Sequence, residues 1–302
     1  MDSDAIQEVA PRSHSVPTSS VAVVITEPTA MVLDDPFFSS LLAGIYATLA
    51  ERSLLLVLLT PLTSRDMELA QAYLTGNHVD GAILASLHRD NRLPNRLREA
   101  RVPIVVCGTP ARGIVASYVD ANNRQGAALA VDHLISLGRR KIATISGNLD
   151  TATAVDRQSG YRDALAAAGL PLDPTLEEVG DFLPNRAHTA MERLLLNHPD
   201  VDAVFAASDL MAAAALRVLQ QARRRIPEDV AIIGFDDSPT ARATNPPLSS
   251  VRQGIVELGR EAVLMLMDEM QEPERAPRHL ILGTELVVRQ SSAGVEAVGP
   301  AD

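Results

Sequence analysis

The stretch Ile226-Pro227-Glu228-Asp229-Val230-Ala231-Ile232-Ile233-Gly234-Phe235-Asp236-Asp237-Ser238-Pro239 decides the fold. Its apolar run, Val230 to Phe235, has the length of a strand and ends abruptly in two carboxylates. Such a run reads as a strand buried on both faces, the habit of parallel sheets covered by helices. In open α/β sheets a ligand lies beyond the carboxyl ends of the strands, so Asp236 and Asp237 stand where a ligand would stand. Adjacent strand residues point to opposite faces, so the two carboxylates are not a dyad aimed at one bond.

Working outward, short apolar runs alternate with amphipathic segments, the pattern of βα units. Strands are predicted at 21–25, 54–59, 79–84 and 102–106, with an edge strand at 115–119. Helices are predicted at 37–51, 66–74 and 94–100; in the first, Phe38, Leu41, Leu42, Ile45 and Leu49 share one face. A second series follows, with strands at 141–146, 203–207 and 230–235 and helices at 122–137, 157–168, 185–196, 208–221 and 258–270. The strands at 279–282 and 285–289 are too few to found a third domain, so they complete the two sheets already built and the chain crosses between lobes more than once.

A chain of 302 residues suits two domains, since single cores stop growing at roughly 250 to 300 residues. With 46% hydrophobic and 22% charged residues it is an ordinary globular composition. A net charge of −11 makes the chain a poor direct ligand for nucleic acid. The single cysteine, Cys107, excludes an intramolecular disulfide and reads as a buried small hydrophobe. Residues 1–20 contain no apolar core of a secretion signal, and no run approaches the ~20 apolar residues of a membrane helix. A cytoplasmic protein without membrane contact is expected.

No nucleophile elbow, phosphate loop, dinucleotide fingerprint or metal-ligand spacing occurs, so neither an enzyme, a cofactor nor a metal is expected. His133 and His198 read as surface or interface residues. What the sequence does place at strand ends is polar and aromatic: Phe37 and Phe38, Asp120, the segment leading to Arg157, Phe182, Ser208 with Asp209, and Asp236. An arginine to clamp, rings to stack and carboxylates to accept hydroxyls make a site for a small polar ligand. Each has a plainer alternative: Phe38 as core, Ser208 or Asp209 as a helix cap, Arg157 as a surface partner of Asp156 or Asp163.

An ordered set of motifs carries a resemblance. It comprises Asp35-Pro36-Phe37-Phe38, Val119-Asp120, Leu137-Gly138-Arg139-Arg140-Lys141, Asp156-Arg157-Gln158-Ser159-Gly160-Tyr161, Gly180-Asp181-Phe182, Ala207-Ser208-Asp209-Leu210-Met211, Gly234-Phe235-Asp236-Asp237 and Asn245-Pro246-Pro247-Leu248. From about Val21 to Ser291 the chain resembles the effector-binding domain of LacI/GalR-type transcriptional repressors, which have the periplasmic-binding-protein-like type I fold. The resemblance implies an α/β fold of two similar lobes, each a doubly wound, mostly parallel sheet flanked by helices, joined by three crossings. The implied division is a leader at 1–20, an N-terminal lobe of 21–119 plus 254–281, a C-terminal lobe of 120–253 plus 282–292, and a tail at 293–302.

The resemblance further implies ligand contacts from Phe37, Phe38, Asp120, Arg157, Phe182, Ser208 and Asp236 to a sugar or a nucleoside- or purine-like effector. Ser208 replaces the Asn or Asp more usual there, and no tryptophan is present to serve as a sugar platform. Alanine at Arg157 is expected to abolish binding while leaving the fold intact. Asp237 is expected to tie the turn at Ser238-Pro239. A homodimer is implied, with exposed apolar residues on the helices after the first and third strands as its surface. Operator DNA would be reached only through a helix-turn-helix headpiece, which residues 1–20 do not supply. The other reading of the same fold is a stand-alone or periplasmic solute-binding protein for sugars.

Overall fold

The computed structural model describes residues 18–293, so the leader and tail fall almost wholly outside the described residues. The chain begins with β1 (Ser20–Ile25), α1 (Thr29–Asp34), α2 (Pro36–Ala50), β2 (Leu55–Leu59), α3 (Ser64–Thr75), β3 (Gly81–Ala85), α4 (Leu93–Glu99), β4 (Ile104–Cys107) and β5 (Ser117–Ala121). It continues through α5 (Asn123–Ser136), β6 (Ile142–Ser146), α6 (Ala152–Ala167), β7 (Glu177–Val179), α7 (Pro184–Asn197), β8 (Ala203–Ala206), α8 (Asp209–Gln221), β9 (Ala231–Asp236), α9 (Pro239–Ala243) and β10 (Ser249–Arg252). The last elements are α10 (Ile255–Gln271), β11 (His279–Leu282), β12 (Glu285–Val287) and α11 (Gln290–Ala293).

Two six-stranded sheets result, ordered β11-β5-β4-β3-β1-β2 and β12-β10-β9-β8-β6-β7. The two orders correspond strand for strand in their doubly wound part, and only β12 pairs antiparallel. The chain therefore passes between sheets after β5, after β10 and between β11 and β12. Helix α10 belongs with the first sheet, where Leu258, Ala262 and Val263 bury against Leu41 and Ile45 of α2. The strand that decided the fold, β9, lies between β8 and β10 with parallel partners on both sides and is buried almost to its end.

Four expectations change. The strand foreseen at 115–119 is Ser117–Ala121, and it is interior, because β11 pairs with it from more than 150 residues away. Local pattern cannot reveal a partner so distant; β11 takes the edge and alternates half-exposed and exposed residues. Helix α6 starts five residues before Arg157, since the Thr151 side chain caps it by accepting from the Ala154 amide. His198 is buried, its Nε2 3.1 Å from the Thr175 carbonyl. Finally, α4 offers no apolar surface: Leu93 and Leu97, one turn apart, both face the core. The exposed apolar residues of the first lobe include Tyr46 on α2, Leu55 and Leu58 on β2, and Leu69 on α3.

Candidate functional site

Between the lobes lies a cleft that is partly open to solvent. Phe37, Phe38, Asp120, Arg157, Phe182, Ser208 and Asp236 all line it, although they come from six separate places in the chain. Arg157 is its electrostatic centre. It projects from the second turn of α6, is 3% exposed, and donates from Nε to Asn123 Oδ1 (2.9 Å) and from Nη1 to the Ala207 carbonyl (2.6 Å). The same Nη1 is 3.5 Å from Asp236 Oδ1. Its guanidinium lies 3.7 Å from the Phe235 ring centroid and 6.0 Å from that of Phe182, so an aromatic face shares the task of holding a buried cation.

Asp236 also accepts from Gln253 Nε2 at the second crossing. Asp120, at the first crossing, accepts from Asn123 Nδ2, its neighbour's amide at Ala121, and both the amide and hydroxyl of Thr109. Its oxygens are thus engaged by the protein. Glu27 and Asp35 add two more carboxylates to the wall, giving Glu27, Asp35, Asp120 and Asp236 against the one guanidinium of Arg157. Burial pushes the carboxyls of Asp35, Asp120 and, most strongly, Asp236 upward, with Arg157 opposing the shift in each case. Burial lowers the pKa of Arg157, and the Asp236 charge is the chief opposing influence.

The rings come from both lobes. Phe37 and Phe38 meet edge to face at 5.3 Å, with Phe38 buried in the core and Phe37 half-buried toward the cleft. Phe182 has φ +60° and follows Asp181 at φ +53° in a tight turn closed by Leu183 N donating to the Gly180 carbonyl. A bulky residue in the left-handed region costs on the order of 1–3 kcal/mol, which the surroundings must offset. They do so by seating the ring on Gly147, where a Cβ would lie 2.0 Å from Phe182 Cζ. Ser208 both lines the cleft and caps α8, accepting from the Met211 amide at 3.3 Å. Cys107 lines the floor with its thiol pushed up by burial and by the Asp120 charge, so it is not a nucleophile.

Asp237 is structural, but not as foreseen. Its carboxylate meets Arg252 Nε at 2.8 Å and Arg289 Nη2 at 2.5 Å, while the Ser238 amide turns to Asp209. Two cations outweigh a local backbone donor. Residues that sequence reasoning passed over are Glu27, Asn123 and Gln253; the last two carry a signal, being side-chain amides at the points where the chain leaves one sheet for the other. The arginine's alternative partner Asp163 is bound by Arg124 instead.

At the cleft rim His88 of the first lobe lies between Glu27 (Nε2, 3.3 Å) and Asp150 of the second lobe (Nδ1, 3.2 Å), and the Arg89 amide donates to the Asp150 carbonyl. The hydrogen bond to Glu27 leads the influences that raise the His88 pKa. The interlobe contact is therefore fully present below the ordinary histidine value near 6.5 and fades as pH rises through the raised value. Small-angle scattering of the free protein is expected to show a larger radius of gyration at pH 8.5 than at pH 5.5, and His88→Gln to erase the difference. An unchanged pH response in that variant would remove His88 as its source.

Among the described residues no helix is long and apolar enough to cross a membrane, and no group of three or more His, Cys, Asp or Glu is placed to hold a metal ion. A family profile for the periplasmic binding protein-like domain matches residues 131–292. The HTH-type transcriptional regulator CelR of Thermobifida fusca is 45% identical over 277 residues, covering 91% of this chain and 81% of that protein. The chain belongs to the LacI family of transcriptional regulators. The ribose operon repressor of Escherichia coli K12 is 34% identical over 281 residues, covering 91% of this chain and 82% of that repressor. Among solved structures, the complex of CelR with cellobiose superposes with a TM-score of 0.88, covering 91% of this chain and 85% of that one. The two-lobed, periplasmic-binding-protein-like architecture and the effector-sensing regulatory role implied by the sequence motifs agree with these relatives, which are regulators of transcription.

Proposed function

We propose that the interlobe cleft binds a neutral sugar, cellobiose or a closely related short glucose oligosaccharide, and that closure on it resets the DNA-binding state of a cytoplasmic dimer. The supporting observation is chemical. Four carboxylates and two side-chain amides surround a single, already engaged guanidinium, with a ring from each lobe, in a chain 45% identical to a regulator solved with cellobiose. Asp236, Asn123 and Gln253 take sugar hydroxyls, Phe37 and Phe182 take the apolar faces of the rings, and Arg157 orients Asp236 while contributing a donor. Asp120 acts mainly by bracing Asn123. The site binds and does not turn its ligand over.

The same electrostatics reject phosphorylated sugars. Nε and Nη1 of Arg157 point to Asn123, Ala207 and Asp236, and four carboxylates line the cleft against that one guanidinium, so a phosphate would meet an excess of negative charge. In thermal-shift and calorimetric titrations cellobiose at ~100 times its dissociation constant should add about 2.7 kcal/mol of stability. Glucose 6-phosphate should add nothing, and ribose little. A stronger response to the phosphate, or none to any neutral sugar, would sink the reading. Light scattering on the same sample should give twice the 32.3 kDa chain mass, with Tyr46, Leu55, Leu58 and Leu69 as the covered patch. Effector-driven reorientation of the paired first lobes is then the two-state element through which DNA binding responds.

A further inference from the structure

We propose that Asp209, which does not line the cleft, is a positioning residue that sets the Asp236 carboxylate by holding the turn Asp236–Ser238. The proposal rests on the reading of Asp236 as an effector contact. Strand β9 does not end in an ordinary loop: Asp236 has φ +110° and Asp237 φ +50°, two successive non-glycine residues in the left-handed half of conformational space. Such a backbone persists only where its surroundings over-determine it.

The restraints converge on one buried carboxylate. The Asp237 amide donates to Ser250 Oγ (2.9 Å), and that hydroxyl donates to Asp209 Oδ1 (2.6 Å). The next amide, Ser238, donates to Asp209 Oδ2 (2.7 Å). Both amides that follow Asp236 are thus fixed, one directly and one through a hydroxyl, by the two oxygens of a residue that is 1% exposed. Helix capping does not account for an acid here, because Ser208 already caps α8. Two neighbours fit this arrangement. Gly234 leaves room for Asp209 Oδ1, since a Cβ there would lie 2.4 Å from it. The Asp237 side chain is drawn the other way, toward Arg252 and Arg289, so the peptide between Asp236 and Asp237 is held from both sides.

Asp209→Asn keeps the shape but offers one accepting oxygen where two are used, so either the Ser250 hydroxyl or the Ser238 amide loses its acceptor. Hydrogen exchange of the purified chain should quicken at Asp237 and Ser238 by about tenfold or more relative to Ile232 and Ile233 within β9, as for a single buried donor left unpaired. Cellobiose affinity should fall about tenfold in the wild-type background, yet less than twofold beside Asp236→Asn, which keeps an acceptor oxygen and a measurable affinity. Ser250→Ala should reproduce the exchange effect at Asp237, and it carries the test if Asp209→Asn does not fold. Equal acceleration along the whole of β9, or equal loss of affinity in both backgrounds, would overturn the proposal and leave Asp209 a general core residue. If the wild-type chain does not bind cellobiose at all, the effector reading fails, and exchange at Asp237 and Ser238 still decides whether Asp209 holds the turn.

Discussion

Arg157→Ala is expected to give a protein that releases no measurable heat with cellobiose and melts on the order of 10 °C lower than the wild type. The stability loss follows from burial. Removing one partner of a buried ion pair costs about 3–5 kcal/mol, because the remaining charge is left uncompensated, and each kcal/mol moves the midpoint of a domain this size by about 2–4 °C. Here the orphans are Asp236, already pushed upward by burial, together with the Ala207 carbonyl and Asn123 Oδ1. The motif pattern alone suggests a fold untouched by this substitution; for a 3% exposed guanidinium the expectation is a fold that still forms but is less stable. The pH dependence carries a sign. Without the cation the Asp236 pKa rises further, so the variant's native state favours the protonated acid and is least impaired at low pH, losing ground as pH rises. The midpoint deficit should therefore be larger at pH 8 than at pH 5. Arg157→Lys should recover part of the stability but little of the binding, since an ammonium cannot reproduce the planar fork that reaches Asn123 and Ala207 together. Unaltered calorimetric affinity in the alanine variant would remove Arg157 from the site, and an unaltered midpoint would refute the buried-pair account.

The sequence displays β9 and its terminal carboxylates openly, because a strand covered on both faces must be continuously apolar and a ligand-facing end must then turn polar at once. Seven residue positions in the cleft follow from the same logic of strand ends. What the sequence does not display is which groups are already spoken for. Asp120 and Asp236 have the same side chain and both end a strand, yet Asp120 accepts four protein donors while Asp236 faces Arg157 and Gln253. Partnership of this kind joins residues 17 to 41 positions apart, as in Asp236–Gln253 and Asp209–Ser250, and no local period encodes it. The same holds for β5, whose edge is covered by β11, and for His88, which meets Asp150 only because the lobes face each other. Strain is likewise invisible: nothing in the letters Asp-Phe or Asp-Asp announces the four positive φ angles at Asp181, Phe182, Asp236 and Asp237. Those four residues sit at the ends of β7 and β9, beside the cleft, where a rigid scaffold can support conformations that a free loop would abandon.

Gly147→Ala should weaken cellobiose binding about 100-fold, more than deleting the Phe182 ring altogether. The added methyl would lie 2.0 Å from Phe182 Cζ and 2.3 Å from Cε2, inside any permissible contact. The backbone of Phe182 cannot retreat, since its turn is closed by the Leu183 and Gly180 hydrogen bonds, the latter anchoring it to the Ser146 carbonyl of β6. The ring must therefore rotate, and it is itself part of the cleft wall. Overpacking of this kind costs about 1–3 kcal/mol, here taken from the space a sugar would fill. Phe182→Ala, by contrast, forfeits one stacking contact worth about 0.5–1.5 kcal/mol beyond the area it covers, a loss of roughly tenfold or less. The two changes should not add: with the ring gone the alanine methyl has nothing to strike, so the double variant should bind like Phe182→Ala alone. Additive losses in that cycle would mean that Gly147 serves the site by some route other than seating the ring, and wild-type affinity in Gly147→Ala would show that the ring of Phe182 does not form the wall of the binding site.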